Sequence, residues 1–119
     1  MKKEILVVDD QPGIRLLLQE IFTNDGYHVT MAKTGKEALD ILYNSSFDLL
    51  MLDYKLPVVD GVQVIQKLEH DKVEIPVILM SGLSEEILEE SQQFELVKKV
   101  LAKPFNVQDV SNFTKGLIG

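Results

Sequence analysis

Apolar residues fall along this chain in two alternating rhythms. Three continuous runs, Ile5-Leu6-Val7-Val8, Leu49-Leu50-Met51-Leu52 and Val77-Ile78-Leu79-Met80, read as strands covered on both faces. Between them, apolar positions recur every three or four residues. Ile14, Leu17, Leu18, Ile21 and Phe22 predict a helix from Pro12 to about Asn24, with Gly26 suited to its stop. At about 100° per residue, Leu17 to Phe22 spans an arc of about 140°, wider than the roughly 100° of a minimal core stripe. One edge of that helix is therefore expected to stay exposed. Tyr27 to Met31 alternates and reads as a weaker strand. Thr34-Gly35 opens a helix carrying Ala38, Leu39, Ile41 and Leu42, and Gly61 precedes one carrying Val62, Val64, Ile65 and Leu68. Ser84 is expected to cap a fourth helix with Glu85 and Glu86 in its first turn, and Asn106 a last one from Val107 to about Leu117. Leu96 to Ala102 supplies the remaining strand.

Strands and helices thus alternate, which is the pattern of an α/β fold: a parallel sheet with helices on both faces. The continuous runs belong in the sheet interior. The alternating second strand, and a fifth carrying Lys98-Lys99, suit its edges. The flavodoxin-like order 2-1-3-4-5 of a five-stranded sheet with five helices meets both demands.

The 119 residues make one domain with a single core. No apolar run approaches the roughly 18 residues of a membrane span, and the start, Met1-Lys2-Lys3-Glu4, lacks a signal-peptide layout. The chain has no cysteine, which removes thiol chemistry and favours a cytoplasmic setting. A net charge of −7 argues against nonspecific binding to nucleic acid or an anionic membrane.

Ligands of an open parallel sheet bind beyond the carboxyl ends of its strands. Those ends hold Asp9-Asp10, Asp53, Ser81 and Lys103. Three acids there repel one another and call for a counter-charge. An all-oxygen set suits a hard cation, Mg²⁺ or Mn²⁺. Beside it Asp53 is placed to act as a nucleophile on phosphorus, with Lys103 and Ser81 positioned for the equatorial oxygens. Singly, each has a plainer reading: Asp9-Asp10 as a solvated turn, Ser81 as a turn residue, Lys103 as a surface cation. His28 and His70 read as surface residues, Met51 and Met80 as core.

Taken together, Asp9-Asp10, Asp53 with Lys55 and Pro57, Asp60-Gly61, Ser81 and Lys103-Pro104-Phe105 resemble the receiver domain of bacterial two-component response regulators, over essentially the whole chain. The resemblance implies a single receiver domain over residues 1–119 without an output domain, in which Asp53 accepts phosphate from a sensor histidine kinase. It implies that Asp10, Asp53 and the Lys55 carbonyl hold Mg²⁺, with Asp9 contributing directly or through water, and that the Lys103-Pro104 bond is cis. The segment from Asp9 to Arg15 is closest to the stand-alone, sporulation-type relay branch, which passes phosphate to a histidine-containing phosphotransferase. By that likeness Gln11, Gly13, Ile14, Leu17, Leu83, Pro104 and Phe105 would contact partners, with a phosphatase as a further candidate partner.

Some positions depart from the family. Val100 stands where conformationally signalling receivers often carry an aromatic ring, Gly82 where alanine is commoner, and Leu96-Val97 where a Gly-Ala pair is usual. A motility-type receiver acting by direct protein binding is the alternative within the family. A small Mg²⁺-dependent phosphohydrolase is disfavoured because Lys55, not an acid, stands two residues after Asp53. A nucleotide or flavin carrier is disfavoured because acids replace a glycine-rich phosphate loop after the first strand.

Overall fold

A computed structural model describes residues 2–82 and 84–119. Its elements run β1 (Glu4–Val8), α1 (Pro12–Asn24), β2 (His28–Ala32), α2 (Gly35–Asn44), β3 (Leu49–Asp53), α3 (Gly61–His70), β4 (Val77–Ser81), α4 (Ser84–Ser91), β5 (Val97–Ala102) and α5 (Val107–Ile118). The strands form one parallel sheet in the order β2-β1-β3-β4-β5. The expected order holds, and for the expected reason. Every residue of β3 and β4 is buried, whereas at the edges β2 is mostly half-buried and β5 exposes its lysines.

Side chains of one strand point alternately to the two faces, so the sheet divides the single core expected into two apolar layers. Leu6, Val8, Leu50, Leu52 and Leu79 pack with Ala38, Val64, Ile65 and Leu68 of α2 and α3. Ile5, Val7, Met51, Ile78 and Met80 pack with Leu18, Ile21 and Phe22 of α1 and Val110 of α5. The wide apolar arc of α1 behaves as expected: Leu18 is fully buried while Leu17 at its edge stays 38% exposed.

Both ends of β2 and the start of β5 move by a residue. Tyr27 lies outside β2; its amide donates to Phe22 and its ring packs edge-on against Phe22, 6.2 Å between centroids. Leu96 lies before β5 because its amide donates to the Glu69 carboxylate instead of joining the ladder. The helix caps follow the polar residues. Thr34 Oγ1 accepts from the Glu37 amide, and Asn106 accepts from Gln108 and Asp109. Asp60 and Gln63 form a reciprocal capping box at α3. The side chains of Ser84, Glu85 and Glu86, expected at the start of α4, lie outside the described ones, as does Leu83. Among the described residues, no helix is long and apolar enough to cross a membrane.

Candidate functional site

Asp53 closes a strand whose other four residues, Leu49 to Leu52, are completely buried. The apolar run holds the backbone rigidly, so the carboxylate emerges at a fixed point. Asp9 follows β1, Ser81 ends β4 and Lys103 follows β5, all at the same edge of the sheet. Asp10, Gln11, Asp53, Tyr54, Lys55, Ser81, Gly82 and Lys103 line one pocket there. The sequence-predicted site residues are thus brought together, with Asp9 buried beside Asp10 and Asp53.

Lys103 bridges two of the acids. Its Nζ donates to Asp9 Oδ2 at 2.8 Å and stands 3.3 Å from Asp53 Oδ1. Its amide donates to the Ser81 carbonyl at 2.7 Å, and the Lys103-Pro104 peptide is cis, as the resemblance implies. Asp9 is wholly buried, and its Oδ1 accepts the Gln11 amide at 2.9 Å. Asp10 is exposed, and none of the described residues donates to its carboxylate. The two neighbours therefore differ sharply: each Asp9 carboxylate oxygen accepts a hydrogen bond, while Asp10 is open.

Carboxylate oxygens of Asp9, Asp10 and Asp53 lie within 4.8 Å of one another. Burial, and then the charge of Asp9, push the Asp53 carboxyl up to about 6, against the opposing pull of Lys103 and the Lys55 amide. Burial pulls the Lys103 amine down, but its bond to Asp9 and the charge of Asp53 outweigh this and hold it above the ordinary lysine range. The cluster has more negative charge than one lysine neutralises. Its oxygen-only donor set and the open Asp10 fit a hard divalent cation.

Of the residues expected to meet partners, Gln11, Gly13, Leu17 and Pro104 are exposed and Ile14 and Phe105 half-buried. They belong to the start of α1 and the β5–α5 connection. Lys55 is exposed, His28 pairs with Glu4 and His70 with Asp71, away from the acids. Val100 is half-buried and packs, without a ring, against the α2–α3 core.

Several contacts lie outside what the sequence pattern predicts. Arg15 Nη1 donates to the Asp9 carbonyl at 2.8 Å. Tyr54, next to Asp53, donates its hydroxyl to Glu90 of α4 at 2.9 Å. Gly61 approaches so closely that a Cβ there would stand 2.5 Å from the Asp53 carbonyl oxygen. Only Gly61 carried a signal, its place at a helix start, and that signal has a commoner explanation as a turn.

The family model described as "Response regulator receiver domain" matches residues 5–115. Sporulation initiation phosphotransferase F of Bacillus subtilis is 36% identical over 116 residues, 97% of this chain and 93% of that protein. The alkaline phosphatase synthesis transcriptional regulatory protein PhoP of the same organism is 34% identical over 99% of this chain, which spans only 49% of PhoP. Among solved structures, the response regulator TrrA of Thermotoga maritima, in complex with Mg²⁺-BeF, superposes with a TM-score of 0.86 at 32% identity. That match covers 97% of this chain and 98% of TrrA. A Francisella response regulator receiver domain gives a TM-score of 0.92 at 28% identity, covering 98% and 97% of the two chains.

Proposed function

The chain belongs to the response regulator receiver family, and on that premise we propose that Asp53 accepts a phosphoryl group from a sensor histidine kinase and passes it to a histidine-containing phosphotransferase. The observation that carries this is the Lys103 amine seated between Asp9 and Asp53, at 2.8 and 3.3 Å, in a pocket open to solvent. The likeness to a sporulation phosphotransferase over nearly the full length of both chains supports a relay in particular. A receiver charged by a sensor histidine kinase, with no described helix long and apolar enough to cross a membrane, fits a cytoplasmic setting.

Asp53 is the nucleophile. One carboxylate oxygen forms the bond to phosphorus as the bond from phosphorus to the donor's histidine nitrogen breaks, and the reverse exchange on a second histidine discharges it. Asp10 and Asp53, with the Lys55 carbonyl, would hold Mg²⁺ or Mn²⁺; the oxygens of Asp9 are already engaged, so Asp9 fits the water-mediated role. Mg²⁺ is present, with BeF, in the Thermotoga relative's structure; held here, such a cation would supply charge neutralisation to phosphoryl oxygens. Lys103, between Asp9 and Asp53, adds a second positive charge, and Ser81 at the end of β4 is placed to supply a hydroxyl. Strand ends fix all of these before the donor arrives, which suits a reaction won mainly by positioning and electrostatics.

The relay is tested by charging the protein from a radiolabelled histidine kinase and then adding a histidine phosphotransferase. Label is expected to enter the chain, fail to enter the Asp53→Ala variant, and leave on addition of the acceptor. Label that enters and never leaves would replace the relay with a terminal receiver acting by direct binding.

A further inference from the structure

We propose that Arg15 is a positioning residue for the acidic site, holding the Asp9–Asp10 peptide so that the Asp10 carboxylate is aimed at the divalent cation. The inference rests on the reading of Asp9, Asp10 and Asp53 as a cation site, and names a residue outside that cluster on which its affinity depends.

The β1–β2 ladder ends at the pair Val8 and Ala32. The Asp9 amide still reaches the Ala32 carbonyl at 3.2 Å, but the Asp9 carbonyl lies beyond the last strand pair and needs a donor from elsewhere. Arg15, in the first turns of α1, supplies it at 2.8 Å. Its own amide donates to the Gln11 carbonyl at 3.2 Å, so the same helix turn closes the loop from both ends. Asp9 is then held on every side: by Arg15 at its carbonyl, and by Gln11 and Lys103 at its side chain.

Asp10 has no such tether. Its carboxylate is exposed, and none of the described residues donates to it. Its direction is inherited from the peptide that precedes it, whose carbonyl Arg15 grips. Freed from Arg15, that peptide can rotate, and the open acid of the cluster loses its fixed aim.

Charge and position act in opposite senses here, which makes the inference decidable. As a nearby cation Arg15 opposes a divalent ion; as a clamp it favours one. The test is Mn²⁺ titration of the full chain by electron paramagnetic resonance, comparing wild type with Arg15→Met, Arg15→Lys and Asp10→Asn. Thermal melting without metal reports stability separately. Asp10→Asn is expected to lose the site. Arg15→Met is expected to bind about tenfold more weakly, the scale for residues that orient metal ligands from behind. Arg15→Lys, which keeps the charge but not the planar fork, is expected to fall between. Arg15→Met binding as tightly as wild type or tighter overturns the proposal, whatever its melting temperature. If Arg15→Met does not fold, Arg15→Lys equal to wild type overturns it. A wild type that binds no Mn²⁺ sinks the cation-site reading itself, a result distinct from these.

Discussion

The β1–α1 and β3–α3 connections each bring an acid to the same crevice, and they are held by different forces. The first, around Asp9 to Gln11, is fixed by hydrogen bonds from Arg15, Gln11 and Lys103. The second, Tyr54 to Asp60, is fixed largely by close packing. Gly61 abuts the Asp53 carbonyl, and a Cβ on Gly35 of α2 would stand 2.2 Å from the Val59 carbonyl oxygen. Between those contacts Val58 sits at φ 66°, inside a tight turn closed by the Val59 amide on the Pro57 carbonyl at 2.8 Å, and is 99% exposed. A β-branched residue is strained in that region. One loop is thus polar and relaxed, the other close-packed and strained. Asp53, the proposed nucleophile, stands at the root of the packed one, where small shifts of backbone matter most.

Steric change in the packed loop should have the largest effect. Gly61→Ala places a methyl against backbone that has no flexible side chain to yield, and is expected to cost about 3 kcal/mol. Urea unfolding should show this as a lower midpoint at unchanged slope. An unchanged midpoint would mean that the loop is not held by packing.

Next is the charge at the loop's root. Asp53 titrates near 6 in the fold, above its ordinary 3.8, so folding favours its protonated form. Well below pH 3.8 the group is protonated in folded and unfolded chains alike, and carries no penalty. As pH rises from about 4 through 6 the wild type loses stability, by about 2–3 kcal/mol for a displacement of about two pH units. Asp53→Asn should therefore converge on wild type near about pH 3 and exceed it by about that amount at about pH 8. Adding Mg²⁺ should narrow the gap by stabilising only the folded wild type. Denaturant melts across this pH range decide the matter; a gap independent of pH contradicts the electrostatic account.

The smallest change concerns the strain. Val58→Gly removes a left-handed penalty of about 1–2 kcal/mol at an entropic cost of about 0.5–1 kcal/mol. A net gain of about 0.5–1 kcal/mol is expected. A loss of stability would mean that Val58 is not strained.

Much of this was legible in the chain itself, unevenly. Buried parallel strands announce themselves as unbroken apolar runs, so β1, β3 and β4 were readable, and the lysines of β5 marked an edge. A parallel sheet gathers its strand ends, so Asp9, Asp10, Asp53, Ser81 and Lys103 could be brought together without coordinates. The contacts of the two loops were not readable. A bond from Arg15 to a main-chain carbonyl has no periodicity. A glycine needed for close approach looks like one that merely turns the chain. Val58 even points the wrong way, since β-branching suggests extended backbone. The bond from Tyr54 to Glu90 depends on how α4 packs, which sequence spacing does not specify.

The central claim is that Asp53, on its buried strand tip, is the phosphoacceptor. Its most direct test is intact mass spectrometry after incubation with a small phosphodonor and Mg²⁺. The account predicts the added mass of one phosphoryl group on the wild type, lost without the cation and absent from Asp53→Ala. An adduct that persists in Asp53→Ala, or none on the wild type with either the small donor or a cognate kinase, would contradict it.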